Sequence, residues 1–225
     1  MKTARTPRPK SSRKPKPKPR RRREPRIRAI VAAAELVFLE KGFDIGSLDD
    51  VARRANASKA TIYAHFGNKL GLFREIIRDK IAAVAQPLDH ATADKENVRV
   101  VLRQFGTAFI TTLLSPVALK FYRLMVSQGT QFPELAQTWF ANGPRIAIGS
   151  LAAFLKDRTK AGELDIENPE LAAEFFLMSL RGVVHLRALT GLAKPPFDKD
   201  VSVRIAGSVD MFMRAYGLPK NKDRS

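Results

Sequence analysis

The stretch Gly42-Phe-Asp-Ile-Gly-Ser-Leu-Asp-Asp-Val-Ala-Arg-Arg-Ala-Asn-Ala-Ser-Lys-Ala-Thr-Ile-Tyr-Ala-His-Phe-Gly-Asn-Lys69 decides the fold of this chain. Two short helical patterns meet in it across a three-residue turn. Ser47 opens the first, and Asp50 three residues on completes a capping-box pattern, with Asp where Glu or Gln is usual. Leu48, Val51, Ala52 and Ala55 then recur as one apolar stripe at i, i+3, i+4 and i+7. Asn56 closes the pattern where a left-handed residue is often needed, a conformation Asn tolerates better than most residues. Ser58 caps the second pattern, in which Ile62 and Phe66, four apart, face inward. Lys59, Ala60, Thr61, Tyr63 and His65 are left outward. Asn68 can cap a further helix that turns Leu72, Phe73, Ile76 and Ile77 inward.

A helix also precedes this unit. Ile27, Ile30, Val31, Ala34, Val37 and Phe38 keep a helical rhythm, and Gly42 can end it. A compact three-helix domain is expected over residues 26–68, within a first domain at 26–86. Two short helices across a tight turn, the second with a polar and basic face, form a helix-turn-helix at 47–66, the unit that reads a DNA major groove. Thr61 and Lys59 are placed to reach base edges, and Tyr63, His65 and Lys69 to hold phosphates. Ser47 can donate to a phosphate together with the backbone N–H groups at its helix N-terminus. Ser58 and Ala60 complete the DNA-facing set. The competing reading of these residues is an ordinary solvated helix face.

The run Ala33–Phe38, Gly42-Phe43, Ser47-Leu48-Asp49-Asp50-Val51-Ala52, Ala55, Ser58-Lys59, Thr61-Ile62-Tyr63, His65-Phe66 and Lys69 resembles the DNA-binding domain of the TetR-type regulators. The likeness covers about 50 residues with many anchors in register. Two departures stand out. Asn56-Ala57 replaces the family's usual Gly-Val, and Lys69-Leu70-Gly71 replaces its Lys-Glu-Glu or Lys-Glu-Ala.

Composition narrows the function further. The chain has 225 residues, enough for one large or two small domains, and no Cys, which excludes disulfides, thiolate metal sites and Cys nucleophiles. His65, His90 and His185 are not paired at i+3 or i+4, so no metal site or other cofactor is expected. The longest clean apolar run, Ala29–Ala34, is far short of a membrane span, and a cytoplasmic, nucleoid-associated protein is expected. No Gly-rich phosphate loop or G-x-S-x-G elbow supports an enzyme, and Asp49-Asp50 read better as helix N-terminal charge than as a carboxylate pair.

The net charge of +18 is uneven: residues 1–25 hold 12 Lys/Arg and one Glu, and so carry +11 of it. This segment has almost no apolar side chain and is expected to be a disordered tail, with polyproline II favoured over Lys14–Arg20. Charges spaced by two on a three-residue turn point all around the axis, so the tail reads as a diffuse phosphate binder rather than a base reader. A solvated N-terminus without a role is the alternative.

Residues 88–217 read as a second, all-helical domain, followed by a polar C-terminal tail at 218–225; strands are not expected. Helices are expected at about 94–114, from Ser115-Pro116 to Ser127, from Phe132-Pro133 to Lys160 with a kink at Gly143-Pro144, from Asn168-Pro169 to Leu189, and from Asp198 to Gly217. Phe121-Tyr122-Arg123-Leu124, Phe132–Ala136, Gly143-Pro144, Gly162-Glu163-Leu164 and Asn168-Pro169 with Ala172-Ala173 resemble the C-terminal domain of some TetR-type regulators. The resemblance implies a domain that dimerises and binds a small effector. Candidate effector-pocket residues are Phe105, Phe109, Phe121, Arg123, Trp139, Phe176 and His185. Arg123 and Arg181 fall in apolar stretches, and a buried Arg needs an anionic partner, either an effector carboxylate or a structural Glu. Phe175, Met178 and Val183 with Ile205, Val209, Phe212 and Met213 are the expected homodimer interface. The sequence reading is thus an all-α, DNA-binding repressor released from a palindromic operator by a small effector. An architectural, largely non-specific nucleic-acid binder acting through the basic tail is the alternative.

Overall fold

The computed structural model describes residues 23–94, 96–192 and 198–218. They form α-helices throughout: α1 Arg23–Ile45, α2 Leu48–Arg54, α3 Lys59–Phe66, α4 Lys69–Asp94, α5 Val98–Leu113, α6 Pro116–Gln128, α7 Pro133–Asn142, α8 Pro144–Lys160, α9 Pro169–Leu189 and α10 Asp198–Tyr216. Arg23, Glu24 and Pro25, expected in the tail, lie in the first turn of α1. Proline is at home there, since first-turn N–H groups have no intrahelical acceptor. Residues 1–22, and the polyproline segment with them, lie outside the described residues. Gly42 breaks α1 with φ 80° and ψ 166°, a backbone that L side chains rarely adopt.

The core divides into two apolar clusters. Ile30, Val37, Phe38, Val51, Ile62, Phe66 and Phe73 centre the first, which also takes Phe121, Met125 and Leu135 from α6 and α7. Leu102, Phe105, Leu151, Phe176, Leu180 and Val209 centre the second. The expected boundary at 86/88 falls inside α4, which passes through Pro87 without ending. Proline inside a helix costs about 3 kcal/mol. Val84 and Leu88, buried on either side of Pro87, seat the helix in the second cluster and offset that cost.

The caps follow the sequence closely. Ser58, Ser115 and Asn168 each accept a backbone N–H at the start of their helix, and Pro116 and Pro169 occupy first-turn positions, while the helix expected from about 94 starts at Val98 behind an Asn97 cap. The segment from Pro133 to Lys160 is two helices rather than one kinked helix, because Gly143 leaves helical geometry at φ −113° and ψ −94°. At the other end the chain does not stop at Gly217. Asp165 N donates to Tyr216 O at 2.8 Å and Leu218 N to Glu163 O at 3.2 Å, so Leu218 belongs to the folded body. No single helix among the described residues is long and apolar enough to cross a membrane.

Candidate DNA-reading face and effector cavity

The helix-turn-helix is held by its own caps. Ser47 Oγ accepts from Asp50 N at 3.1 Å, Ser47 N donates to Asp50 Oδ2 at 3.3 Å, and the Ser47 hydroxyl donates to the same oxygen at 2.9 Å. The capping box therefore forms with Asp in the Glu position, and it commits the Ser47 proton expected for a phosphate. Lys41 meets Asp50 at 2.8 Å and Arg53 joins them. The Lys41 ammonium first, then the Ser47 hydroxyl and N–H, hold the Asp50 carboxyl well below the usual carboxylate range. Asn56 carries the turn at φ 47°, the one non-Gly residue with positive φ among the described residues.

Across the turn, Ser58 Oγ accepts from Thr61 N at 3.2 Å and lies 2.8 Å from the Thr61 hydroxyl. Ile62 and Phe66 are buried against the first cluster. Lys59, Ala60, Tyr63 and His65 are exposed and Thr61 is half-buried, so the expected outward face is outward. Lys59 is not idle: its ammonium pairs with Asp49 at 2.5 Å. Arg54 grips Glu40 with two hydrogen bonds of 2.5 and 2.8 Å, which lower the Glu40 carboxyl and raise the guanidinium.

Lys69, expected to hold a phosphate, is engaged within the protomer. Its ammonium donates to the Asp44 carbonyl at 2.9 Å and sits 4.6 Å from the Phe43 ring centroid, and burial lowers its pKa. The junction holds a second residue that sequence patterns missed. Gly71 N donates to Asn68 Oδ1 at 2.8 Å, and a β-carbon at Gly71 would collide with the Phe66 carbonyl. The replacement of the family's Glu or Ala by Gly71 was the available signal.

A cavity of about 160 Å³ opens between α4, α5, α6, α7, α8 and α9. Ile77, Ile81 and Val84 of α4 form one wall, Phe109 and Leu113 of α5 a second, and Phe121 and Tyr122 of α6 a third. Trp139, Met178 and Arg181 complete it, with Trp139 edge-on to Tyr122 at 5.7 Å between centroids. Of the expected pocket residues, Phe109, Phe121 and Trp139 line this cavity. The others do not. Phe105 and Phe176 are sealed in the second core cluster, where Phe176 packs edge-on to Phe212 at 5.3 Å. Arg123 caps the end of α9, donating to the carbonyls of Leu189 and Ala188 at 2.9 Å each. A cation there satisfies orphan carbonyls and complements the helix dipole, so it needs no carboxylate. His185 lies fully buried behind Tyr122, accepting from Arg181 Nε at 2.9 Å through Nδ1. Burial first, and then the Arg181 charge, push its pKa down to about 4.

The expected dimer set also divides. Phe175, Met178 and Val183 are 46–61% exposed on α9. Ile205, Val209 and Phe212 point the other way, into the protomer's own core, and Met213 packs partly buried against it. The outer face of α10 carries Val203 and Met211, both exposed, with Gly207 open between them. One apolar stripe in a sequence does not distinguish a face turned to the protomer's own core from a face turned to a partner.

Residues 30–76 match the family model "Bacterial regulatory proteins, tetR family", and residues 100–218 match "AefR-like transcriptional repressor, C-terminal domain". The chain is 28% identical over 162 residues to the HTH-type transcriptional repressor BepR of Brucella suis biovar 1 (strain 1330), an alignment covering 70% of this chain and 78% of BepR. A TetR-family transcriptional regulator from Mesorhizobium loti MAFF303099 superposes with a TM-score of 0.72 at 26% identity, covering 87% of this chain and 98% of that one. The flavonoid-responsive regulator FrrA superposes with a TM-score of 0.65 at 28% identity, covering 88% and 99%.

Proposed function

The chain belongs to the TetR family of bacterial transcriptional regulators, and from that premise we propose a homodimeric repressor that a small effector releases from a palindromic operator. In this reading α3 enters the major groove. Thr61 and Lys59 contact base edges, Lys59 by exchanging Asp49 for DNA. Tyr63, His65 and Lys69 hold phosphates, Lys69 by turning from Asp44. The Leu48 and Asp49 N–H groups at the start of α2 take a further phosphate, since Ser47 is occupied in its cap. Two protomers would join through Phe175, Met178 and Val183 of α9 with Val203, Gly207 and Met211 of α10. A two-fold pair reading half-sites one turn of DNA apart holds its two recognition helices roughly 34–36 Å apart. The protein acts on the nucleoid in the cytoplasm.

One observation carries the effector-release part. α4 is a single helix that packs against α1 and α3 at its start and walls the cavity with Ile77, Ile81 and Val84 further on. Phe121 strengthens this link. It lines the cavity and stands 5.7 Å from Phe73, which meets Phe43 at 5.5 Å beside Lys69. An occupant of the cavity therefore bears on the elements that fix the angle of α3. Close-packed cores respond to such pressure by shifting whole elements.

Binding-site selection from random DNA by the full chain tests the proposal. The expected result is a two-fold symmetric element bound at least ~10³-fold tighter than random DNA. Selected sequences without a common element would replace the repressor by the architectural reading, in which the basic tail supplies most of the affinity.

A further inference from the structure

Arg181 is a cation in an apolar wall, and its partners are neutral. Its Nε donates to His185 Nδ1 at 2.9 Å, an Nη donates to the Tyr122 hydroxyl, and its Cζ lies 4.7 Å from the Tyr122 ring centroid. No carboxylate meets it among the described residues, whereas Arg53, Arg54, Arg78, Arg99 and Arg158 each have one. The other cation of the cavity lining, Lys80, is paired with Glu35 at 2.8 Å. The lining thus holds one uncompensated positive charge and no acid.

A partly desolvated guanidinium is costly unless an anion meets it. The surroundings also orient it. His185 offers only a neutral acceptor, because a ring nitrogen that accepts from Arg181 cannot carry a proton. Tyr122 supplies a hydroxyl at one edge and a ring face beneath. Two of the five guanidinium N–H groups are used this way, and the remainder match the two-point geometry of a carboxylate. The space is compact: about 160 Å³ is close to the size of an apolar cavity that takes benzene.

Resting on the effector reading above, we propose that the cavity takes a compact apolar monocarboxylate, with one ring or its equivalent against Phe109, Phe121 and Trp139 and its carboxylate on Arg181. Trp139 is the chain's single Trp, so its emission reports occupancy directly. The probes are 4-ethylbenzoate and its uncharged isostere 4-ethylbenzamide, titrated into the full-length protein near neutral pH with calorimetry alongside. The acid should bind at least tenfold tighter than the amide. In Arg181→Gln the acid should bind no better than the amide. If that variant loses its helical signal, Arg181→Lys, which keeps the charge without the fork, should shrink the acid's advantage.

Equal affinities in wild type, or a preference for the amide, overturn the carboxylate assignment and leave the cavity as a neutral-ligand site. An acid advantage that survives in Arg181→Gln overturns Arg181 as the anchor. Neither probe binding by emission or heat overturns the monocarboxylate assignment and leaves the effector reading standing.

Discussion

The carbonyl oxygen of Phe66 stands where a β-carbon on Gly71 would have to be, so α3 and α4 meet more closely than any residue but glycine allows. Asn68 locks the same corner by accepting from Gly71 N. Gly71→Ala must push the end of α3 away from α4. Overpacking of this kind costs about 1–3 kcal/mol. The expected outcome is a lower urea midpoint together with weaker operator binding, since the corner sets the angle of α3. A variant with wild-type midpoint and wild-type operator affinity would show that the corner has slack.

Asn56 makes a related prediction at the other end of α3. With φ at 47°, the turn needs a residue that tolerates left-handed backbone. Asn56→Gly should be close to neutral in stability. Asn56→Val should cost about 1–2 kcal/mol. Denaturant curves of the two variants check this, and equal midpoints would count against a strained turn.

The difference between these two sites explains what was legible in the sequence. Asn56, the caps at Ser47, Ser58, Ser115 and Asn168, and the inward pair Ile62 and Phe66 obey local rules that act within a few residues, and each reads directly from the chain. Gly71 is constrained by the carbonyl of Phe66 five residues earlier, across a change of direction that no periodicity encodes. The cavity is further from view, because Phe105 and Phe109 share a helix four residues apart and only the three-dimensional packing decides which meets empty space. Arg123 and Arg181 look alike in sequence. One caps α9 and the other lines the cavity, a distinction set by where α6 and α9 cross.

The reading face gives a direct test of specificity. Thr61→Ala should weaken operator binding by about 1–3 kcal/mol and leave random DNA nearly unaffected, as expected for a base contact. Lys59 and Asp49 are exposed, so their pair contributes little to stability, about 0–1 kcal/mol. Lys59→Ala should therefore keep the denaturation midpoint while lowering operator affinity. Competition binding with operator and scrambled duplexes measures both. An unchanged preference for operator in Thr61→Ala would remove Thr61 as a base reader.

His185 predicts a pH dependence with a definite sign. It is buried, and its pKa falls from the ordinary 6.5 to about 4 in the folded protein. Below about pH 6.5 the unfolded chain gains a proton on this ring that the folded chain refuses down to about 4. Stability is therefore full above that window and falls as the pH drops through it, by up to roughly 3 kcal/mol at 1.36 kcal/mol per unit. Asp50 and Glu40, whose folded pKa values are depressed, lose their contribution lower, as the pH falls below the ordinary carboxylate range. Urea midpoints at pH 7 and pH 4.5 should differ in wild type and converge in His185→Phe, provided that variant folds at pH 7. An equal drop in both proteins would assign the effect to other groups.

The two faces of α10 make the dimer separable from the fold. Met211 and Val203 are exposed in the protomer, and so is Phe175 on α9. A charge at any of them meets only solvent in a monomer. In a two-fold pair the same charge would be buried facing its own copy, without a partner, which costs several kcal/mol. Ile205 and Val209 are the opposite case, at 5% and 0% exposure inside the protomer. Met211→Glu and Phe175→Glu should therefore give folded monomers by light scattering, with wild-type helical signal and greatly weakened binding to a two-half-site operator. Ile205→Glu should unfold the protein instead, since its carboxylate would enter the second core cluster. Binding of a single half-site should survive in Met211→Glu, because α3 lies far along the chain from α10 and is untouched. A Met211→Glu and Phe175→Glu double variant that remained dimeric would move the interface off α9 and α10.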